Sequence, residues 1–188
     1  SECQFGFRKG RSTEQAIHRV INELTTKTIN HKFVVAVSVD IEAGFDSPSY
    51  QSIIEGCKVL NIPPYLINII HNYLHSRTAE YNGTIHHPQK GIPQGSILGP
   101  LLWNIAYNTI INVLSTLCHT TCFADDTLSI LTASSLKELQ QNFESFMHIY
   151  TNINTILAIN INVSKTEILF METPYNLGIP LPILHYKN

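Results

Sequence analysis

The chain has 188 residues, enough for one domain with a single sizeable core. Only 14% of them are charged, against about 25% in an ordinary soluble domain; 44% are apolar and the formal net charge is −2. This balance excludes a disordered chain, which needs low hydrophobicity and high charge, and a basic protein that coats nucleic acid.

From Ser12 the spacing of Ala16, Ile17, Val20, Ile21 and Leu24 predicts a helix, with Ser12 or Thr13 as its N-cap. The β-branched run from Lys32 to Val39 predicts a strand that ends at Asp40. Ser47-Pro48 then supplies a cap and a first-turn proline for a helix to about Leu60. Pro63-Pro64 breaks it, and Leu66, Ile69, Ile70, Tyr73 and Leu74 mark the next helix. Asn82-Gly83 between two short β-prone arms is a strong hairpin signal.

A Gly/Pro-rich loop from Gly91 leads into a helix opened by Pro100, and no Asp, Glu, Lys or Arg occurs between Gly91 and Ala124. Asn104, Asn108 and Asn112 nonetheless recur on one helical face. A polar stripe marks a buried helix that looks onto something polar, not a membrane span, which wants about 20 uninterrupted apolar residues. Thr120–Ala124 and Thr127–Leu131 read as a hairpin with Asp125-Asp126 at its tip. Ser135 and Glu138 suggest a capping box for a long helix with Leu136, Leu139, Phe143, Phe146, Tyr150, Ile153 and Leu157 on one stripe. Last comes a strand from Thr166, preceded by Lys165. The expected fold class is α+β, an antiparallel sheet with helices packed on one face.

The four cysteines, at 3, 57, 118 and 122, form neither a CxxC pair nor a disulfide framework, so a reducing compartment is expected. The start SECQFGFRKG shows no initiator Met and no targeting pattern, and the chain reads as a fragment of something longer. His71 and His75 share a helical face, and Cys118, His119 and Cys122 lie close in sequence, but neither group has the ligand count of a zinc site. No phosphate loop of the GxxxxGK type occurs.

Chemistry is concentrated in the aspartates. The chain has only four, at 40, 46, 125 and 126, and they fall in two clusters, one ending a strand and one tipping a hairpin. Adjacent strands would bring both clusters to one sheet edge, where carboxylates that close need a raised pKa or a cation between them. Mg²⁺ with oxygen ligands is the usual solution, and two such ions would serve phosphoryl transfer. A solvated turn is the bland alternative for Asp125-Asp126.

Five segments, in this order, carry a resemblance: QFGFRKGRSTEQAI from Gln4, DIEAGFD from Asp40, GIPQGSILGPLLWNIAYN from Gly91, FADD from Phe123 and NVSKTEILF from Asn162. Together they resemble the reverse transcriptase domain of non-LTR retrotransposons of the long interspersed element type, over about residues 4–170. The resemblance implies a polymerase palm at about residues 31–171, a partial fingers segment at about 1–30, and at 172–188 a truncated lead-in to a thumb. The rest of the fingers and the thumb would belong to a longer polyprotein.

It further implies an RNA-directed DNA polymerase that adds deoxynucleoside triphosphates to a DNA primer on an RNA template, with two Mg²⁺ ions, Mn²⁺ being a possible substitute. Asp40, Asp125 and Asp126, with the main-chain carbonyl of Ile41, match the metal ligands. Phe45 matches an aromatic gate against the ribose 2′-hydroxyl, or is a core residue beneath the sheet. Gln94 and Gly95 resemble template and nucleotide contacts. Lys165 matches a lysine near the departing pyrophosphate, or is simply solvated. Arg8, Lys9 and Arg11 form a basic cluster, either a phosphate clamp or a salt-bridged helix start. Ala43 and Gly44 reverse the family's usual Gly-Ala order. The rival expectation is a catalytically silent palm remnant that at most binds nucleic acid weakly. By resemblance, a nuclear or cytoplasmic protein is expected, not a secreted one.

Overall fold

The computed structural model describes residues 1–180 and 182–184. Residues 181 and 185–188 of the expected thumb lead-in, and the side chain of Ile153, lie outside the described residues. In chain order the elements are α1 (Thr13–Asn30), β1 (Phe33–Val39), β2 (Ile41–Glu42), α2 (Tyr50–Val59), α3 (Pro64–His75), β3 (Ala79–Tyr81), β4 (Thr84–His86), α4 (Gly99–Leu117), β5 (His119–Phe123), β6 (Asp126–Ala133), α5 (Leu136–Leu157), β7 (Asn160–Ile161) and β8 (Glu167–Met171). A 3-10 turn, Val163–Lys165, precedes β8.

The main sheet has the order β5-β6-β1-β8 and is antiparallel throughout. β1 is central, paired from Phe33↔Ala133 to Val39↔Thr127 on one side and from Val34↔Met171 to Ser38↔Glu167 on the other. Strand alternation sends Phe33, Val35, Val37 and Val39 to one face, where they join a core with Trp103, Tyr107, Phe146 and Tyr150 of α4 and α5. Burying each such large side chain contributes ~1.5–3 kcal/mol. The expected layer of helices on this face is made by α2, α4 and α5.

α1 lies on the opposite face. Its Ala16, Ile17, Val20 and Ile21 share a groove with Ser38, Thr121, Phe123 and Leu128, and Arg19 Nε donates to His119 Nε2 at 3.2 Å. The helix starts as its sequence demands: the Ser12 hydroxyl accepts from Gln15 N–H, and Gln15 reciprocates in a capping box. Two asparagines of the α4 stripe face the N-terminal segment, Asn104 Nδ2 donating to the Gly6 carbonyl at 3.1 Å and Asn108 Oδ1 accepting from the Ser1 amine at 2.7 Å, whereas Asn112 is exposed. Among the described residues no helix is long and apolar enough to cross a membrane.

Two local expectations are corrected. α2 starts at Tyr50, with the Ser49 side chain accepting from Ser52 N–H, not at Ser47-Pro48. The amides of Asp46 and Ser47 are held by the Ala43 carbonyl, and the Pro48 carbonyl accepts from Gly91 N–H at 2.8 Å, so that stretch belongs to a turn and a loop contact. In the β5-β6 hairpin Phe123 pairs with Asp126, which puts Ala124-Asp125 at the tip and makes Asp126 the first residue of β6. The Asn82-Gly83 hairpin forms as expected, with φ values of 49° and 74°.

Candidate active site

The register β1·β6 ends at Val39↔Thr127, so one further residue sets Asp40 across from Asp126, and the tight turn before Asp126 adds Asp125. Two strands that are neighbours in the sheet thus deliver the three carboxylates to one edge. Asp126 is exposed as a residue, yet its carboxyl sits above the ordinary carboxylate value. Partial desolvation raises it most, and the charges of Asp125 and Asp40 add to the effect. Lys165 brings its Nζ within 3.8 Å of Asp40 Oδ2.

The residue after Asp40 starts a second, two-stranded ladder. Asn162 N–H donates to the Asp40 carbonyl at 2.9 Å, and Ile41 pairs with Ile161. Antiparallel alternation turns the main-chain groups of Ile41 away from β7, which leaves its carbonyl outside that ladder.

Asp40, Asp125, Asp126 and the Ile41 carbonyl offer only oxygen donors, the chemistry that suits a hard divalent cation. The repulsion from Asp125 and Asp40, which adds to desolvation in raising the Asp126 carboxyl, is what such a cation would relieve. Among the described residues, however, no three Asp, Glu, His or Cys side chains are gathered tightly enough to hold an ion unaided. The carboxylates would have to be drawn together, with further oxygens from solvent or phosphate completing the shell.

Beside the carboxylates the chain turns sharply. Ala43 has φ 47° and its carbonyl accepts from the amides of Asp46 and Ser47. Gly44 is packed so closely that a Cβ there would stand 3.4 Å from Asp125 Oδ2 and 3.3 Å from the Trp103 ring. Phe45 follows, half-buried, stacked on Trp103 with ring centroids 5.5 Å apart and met edge-on by Phe7 at 5.9 Å. One face of Phe45 therefore rests on the core, as the core reading expects, while the residue stays partly exposed beside the carboxylates.

The loop with Gln94 and Gly95 is tied to this turn, because Ile92 N–H donates to the Phe45 carbonyl at 2.6 Å. Gln94 and Gly95 are exposed, and Gly95 has φ 79° with open space over its Cα. Conformation is what calls for glycine there. Arg77, to which the sequence reading gave no role, fastens the loop from below. Its guanidinium donates to the Gly91 carbonyl at 2.8 Å and to the Tyr50 hydroxyl, and lies over the Tyr50 ring.

The basic cluster is not drawn into the site. Arg8 donates to the main-chain carbonyls of Ser1 and Gln4 and lies 3.5 Å from Glu2, and Arg11 pairs with Glu2. These contacts match the salt-bridged alternative. Lys9 is exposed. His71 and His75 stack on each other with ring centroids 4.0 Å apart, and all four cysteines are free. Burial pushes the Cys122 thiol up to about 12, so it stays protonated and inert.

Beneath the carboxylates the Tyr107 hydroxyl is bonded to Tyr150 at 2.6 Å and to Thr127 at 2.8 Å. That buried network pins the residue after Asp126 to α4 and α5. Sequence reasoning missed it, along with Arg77, Trp103 and the side chain of Gln4, since patterning marks a residue as buried without naming its partner.

An antiparallel, helix-covered sheet thus carries three carboxylates at one edge and an aromatic residue beside them, the arrangement that the sequence resemblance leads one to expect. Comparison with known proteins agrees: residues 1–181 match the family described as reverse transcriptase (RNA-dependent DNA polymerase), and the chain belongs to that family, in its non-LTR retrotransposon branch. It is 30% identical over 179 residues to the RNA-directed DNA polymerase from the mobile element jockey of Drosophila melanogaster, covering 86% of this chain and 19% of the relative. It is 26% identical over 175 residues to a 115 kDa protein of the type-1 retrotransposable element R1DM of the same species, covering 90% and 17%. The chain thus spans under a fifth of these relatives. Among solved structures, telomerase from Candida tropicalis superimposes with a TM-score of 0.67 at 13% identity, over 92% of this chain and 37% of that one. The RNA-dependent RNA polymerase of a human picobirnavirus gives 0.57 at 15%, over 84% and 30%. Both likenesses concern the fold.

Proposed function

We propose that this chain is the catalytic palm of an RNA-directed DNA polymerase that extends a DNA primer with deoxynucleoside triphosphates on an RNA template. The observation that carries the reading is the convergence of Asp40, Asp125 and Asp126 at one sheet edge beside Phe45. Asp40, Asp125, Asp126 and the Ile41 carbonyl hold Mg²⁺, two ions in the full reaction, with Mn²⁺ as a substitute. Bound there, such ions neutralise phosphate charge and ease deprotonation of the attacking primer hydroxyl.

The chain's own residues do the rest. Phe45, braced by Trp103, fills the space a ribose 2′-hydroxyl would need. Gln94 and Gly95, fixed relative to Phe45 by the Ile92 amide, support the template and the incoming nucleotide. Lys165 swings from Asp40 towards the phosphates, where its ammonium neutralises or protonates the departing pyrophosphate. Lys9 is the free member of its cluster and contacts the nucleic-acid backbone, with Arg8 and Arg11 joining it only if they leave Glu2. Residues 1–30 act as part of the fingers and residues from 172 onward lead to a thumb.

Primer extension on poly(rA)/oligo(dT) with Mg²⁺ tests the reading. Extension abolished by Asp125→Asn is the expected result. If no extension occurs even after fingers and thumb segments are fused to the chain, the silent-remnant reading stands instead.

A further inference from the structure

The two-residue turn between β5 and β6 has a problem that its own hairpin cannot solve. Ala124, the first of the two turn residues, takes φ 58°, left-handed backbone that favours glycine. The amide and carbonyl of Ala124 stand at the tip, outside the ladder that closes at Phe123↔Asp126. Ala124 is nevertheless buried, so water does not serve them freely.

Their partner is a side chain 120 residues away. Gln4 is 3% exposed; its Nε2 donates to the Ala124 carbonyl at 2.9 Å and its Oε1 accepts from the Ala124 amide at 3.0 Å. The same Oε1 accepts from Gly6 N–H at 2.8 Å, which fixes the carboxamide's orientation. Around it the N-terminal segment is laced to β5, with Cys122 N–H donating to the Cys3 carbonyl and Phe5 N–H to the Cys122 carbonyl, each at 2.8 Å. Gly6 presses against the turn so closely that a Cβ would fall 2.1 Å from the Ala124 nitrogen. A primary amide has a donor and an acceptor side by side, which is what one residue's C=O and N–H require.

We infer that Gln4 is a positioning residue, a clamp whose carboxamide holds the Ala124 backbone and thereby aims Asp125 and Asp126. It touches no reacting atom. The inference rests on reading those aspartates as the catalytic carboxylates, and the main-chain contact itself can be tested without activity.

Amide hydrogen exchange followed by NMR in the 188-residue chain is the direct measurement. In the parent, Ala124 N–H is expected to be protected at least tenfold over an open hairpin tip; an unprotected amide overturns the inference, whatever any variant does. Gln4→Met keeps the length and apolar stem but loses both polar atoms. It is expected to raise exchange at Ala124 by tenfold or more while amides of α5 keep the parent rate. Exchange that rises equally in α5 shows a general scaffold effect and overturns the inference.

In primer extension the same variant is expected to lose tenfold or more in kcat with KM for the nucleotide within twofold. An unchanged kcat with a loosened Ala124 overturns the positioning role. If the parent does not polymerise even with fingers and thumb segments fused to it, the polymerase reading fails, and the exchange measurement still decides whether Gln4 holds the turn.

Discussion

Lys165 reaches back from the 3-10 turn to place its ammonium 3.8 Å from Asp40 Oδ2, although its side chain is 70% exposed. An exposed pair of this kind contributes ~0–1 kcal/mol, so the contact does not explain itself through stability. Lys165→Met should leave the unfolding free energy within ~0.5 kcal/mol of the parent. Nucleotide addition in a single-turnover assay should slow by ~10²-fold, the scale of a positioned acid. A variant that polymerises at the parent rate would return Lys165 to the solvated reading.

The raised carboxyl of Asp126 gives a pH signature. A carboxylic acid whose folded-state value lies above its unfolded one binds a proton more readily when folded. It therefore adds stability as pH falls, and that contribution is lost as pH rises through the folded-state value. With divalent ions chelated, Asp126→Asn should be at least as stable as the parent at neutral pH and should melt with a shallower pH dependence in the acidic range. Thermal melts across that range check both points, and a destabilised variant at neutral pH would contradict the repulsion between the carboxylates.

Ala43 occupies left-handed backbone at φ 47°, where an L side chain costs ~1–2 kcal/mol. The Ala43-Gly44 order thus puts the side chain on the strained residue and leaves glycine at the crowded one beside Asp125. Ala43→Gly should stabilise the chain by ~0.5–1 kcal/mol, the relief less the extra flexibility of the unfolded glycine. The midpoint of denaturant unfolding measures it, and a lower midpoint would show that the strain is compensated locally.

Phe45→Val should open the space over the sugar. Misincorporation of ribonucleotides relative to deoxynucleotides should rise at least tenfold, as a small change in an apolar pocket allows. Loss of the stack on Trp103 should cost a further ~0.5–1.5 kcal/mol of stability. Competitive incorporation with mixed nucleotides decides the matter: unchanged selectivity would make Phe45 a core residue only.

The element order, the antiparallel hairpins and the placing of Asp40 at a strand end were legible because hydrophobic period and turn chemistry are local. The stripe Leu139, Phe143, Phe146, Tyr150 is buried as its spacing requires. The two-residue strands β2 and β7 were not legible: they exist only because the Asp40 carbonyl meets the Asn162 amide, a contact between distant segments. The start of α2 shifted for the same reason, since Pro48 is taken by Gly91. At the site, the aspartates could be found as a cluster of rare charges, whereas Gln4 bonds main-chain atoms and Arg77 bonds main-chain carbonyls besides the distant Tyr50 side chain, and such partners leave no mark in a sequence. The basic cluster misleads in the opposite direction, because Glu2 absorbs two of its charges.

The stack of Phe45 on Trp103 has one more use. Trp103 is the chain's single tryptophan, fully shielded from solvent, and its ring continues onto Tyr107 at 5.1 Å. Every photon of indole emission from these residues therefore originates directly under Phe45. A ligand that shifts Phe45 alters the surroundings of that one fluorophore, so its binding can be followed optically, in real time and without a label.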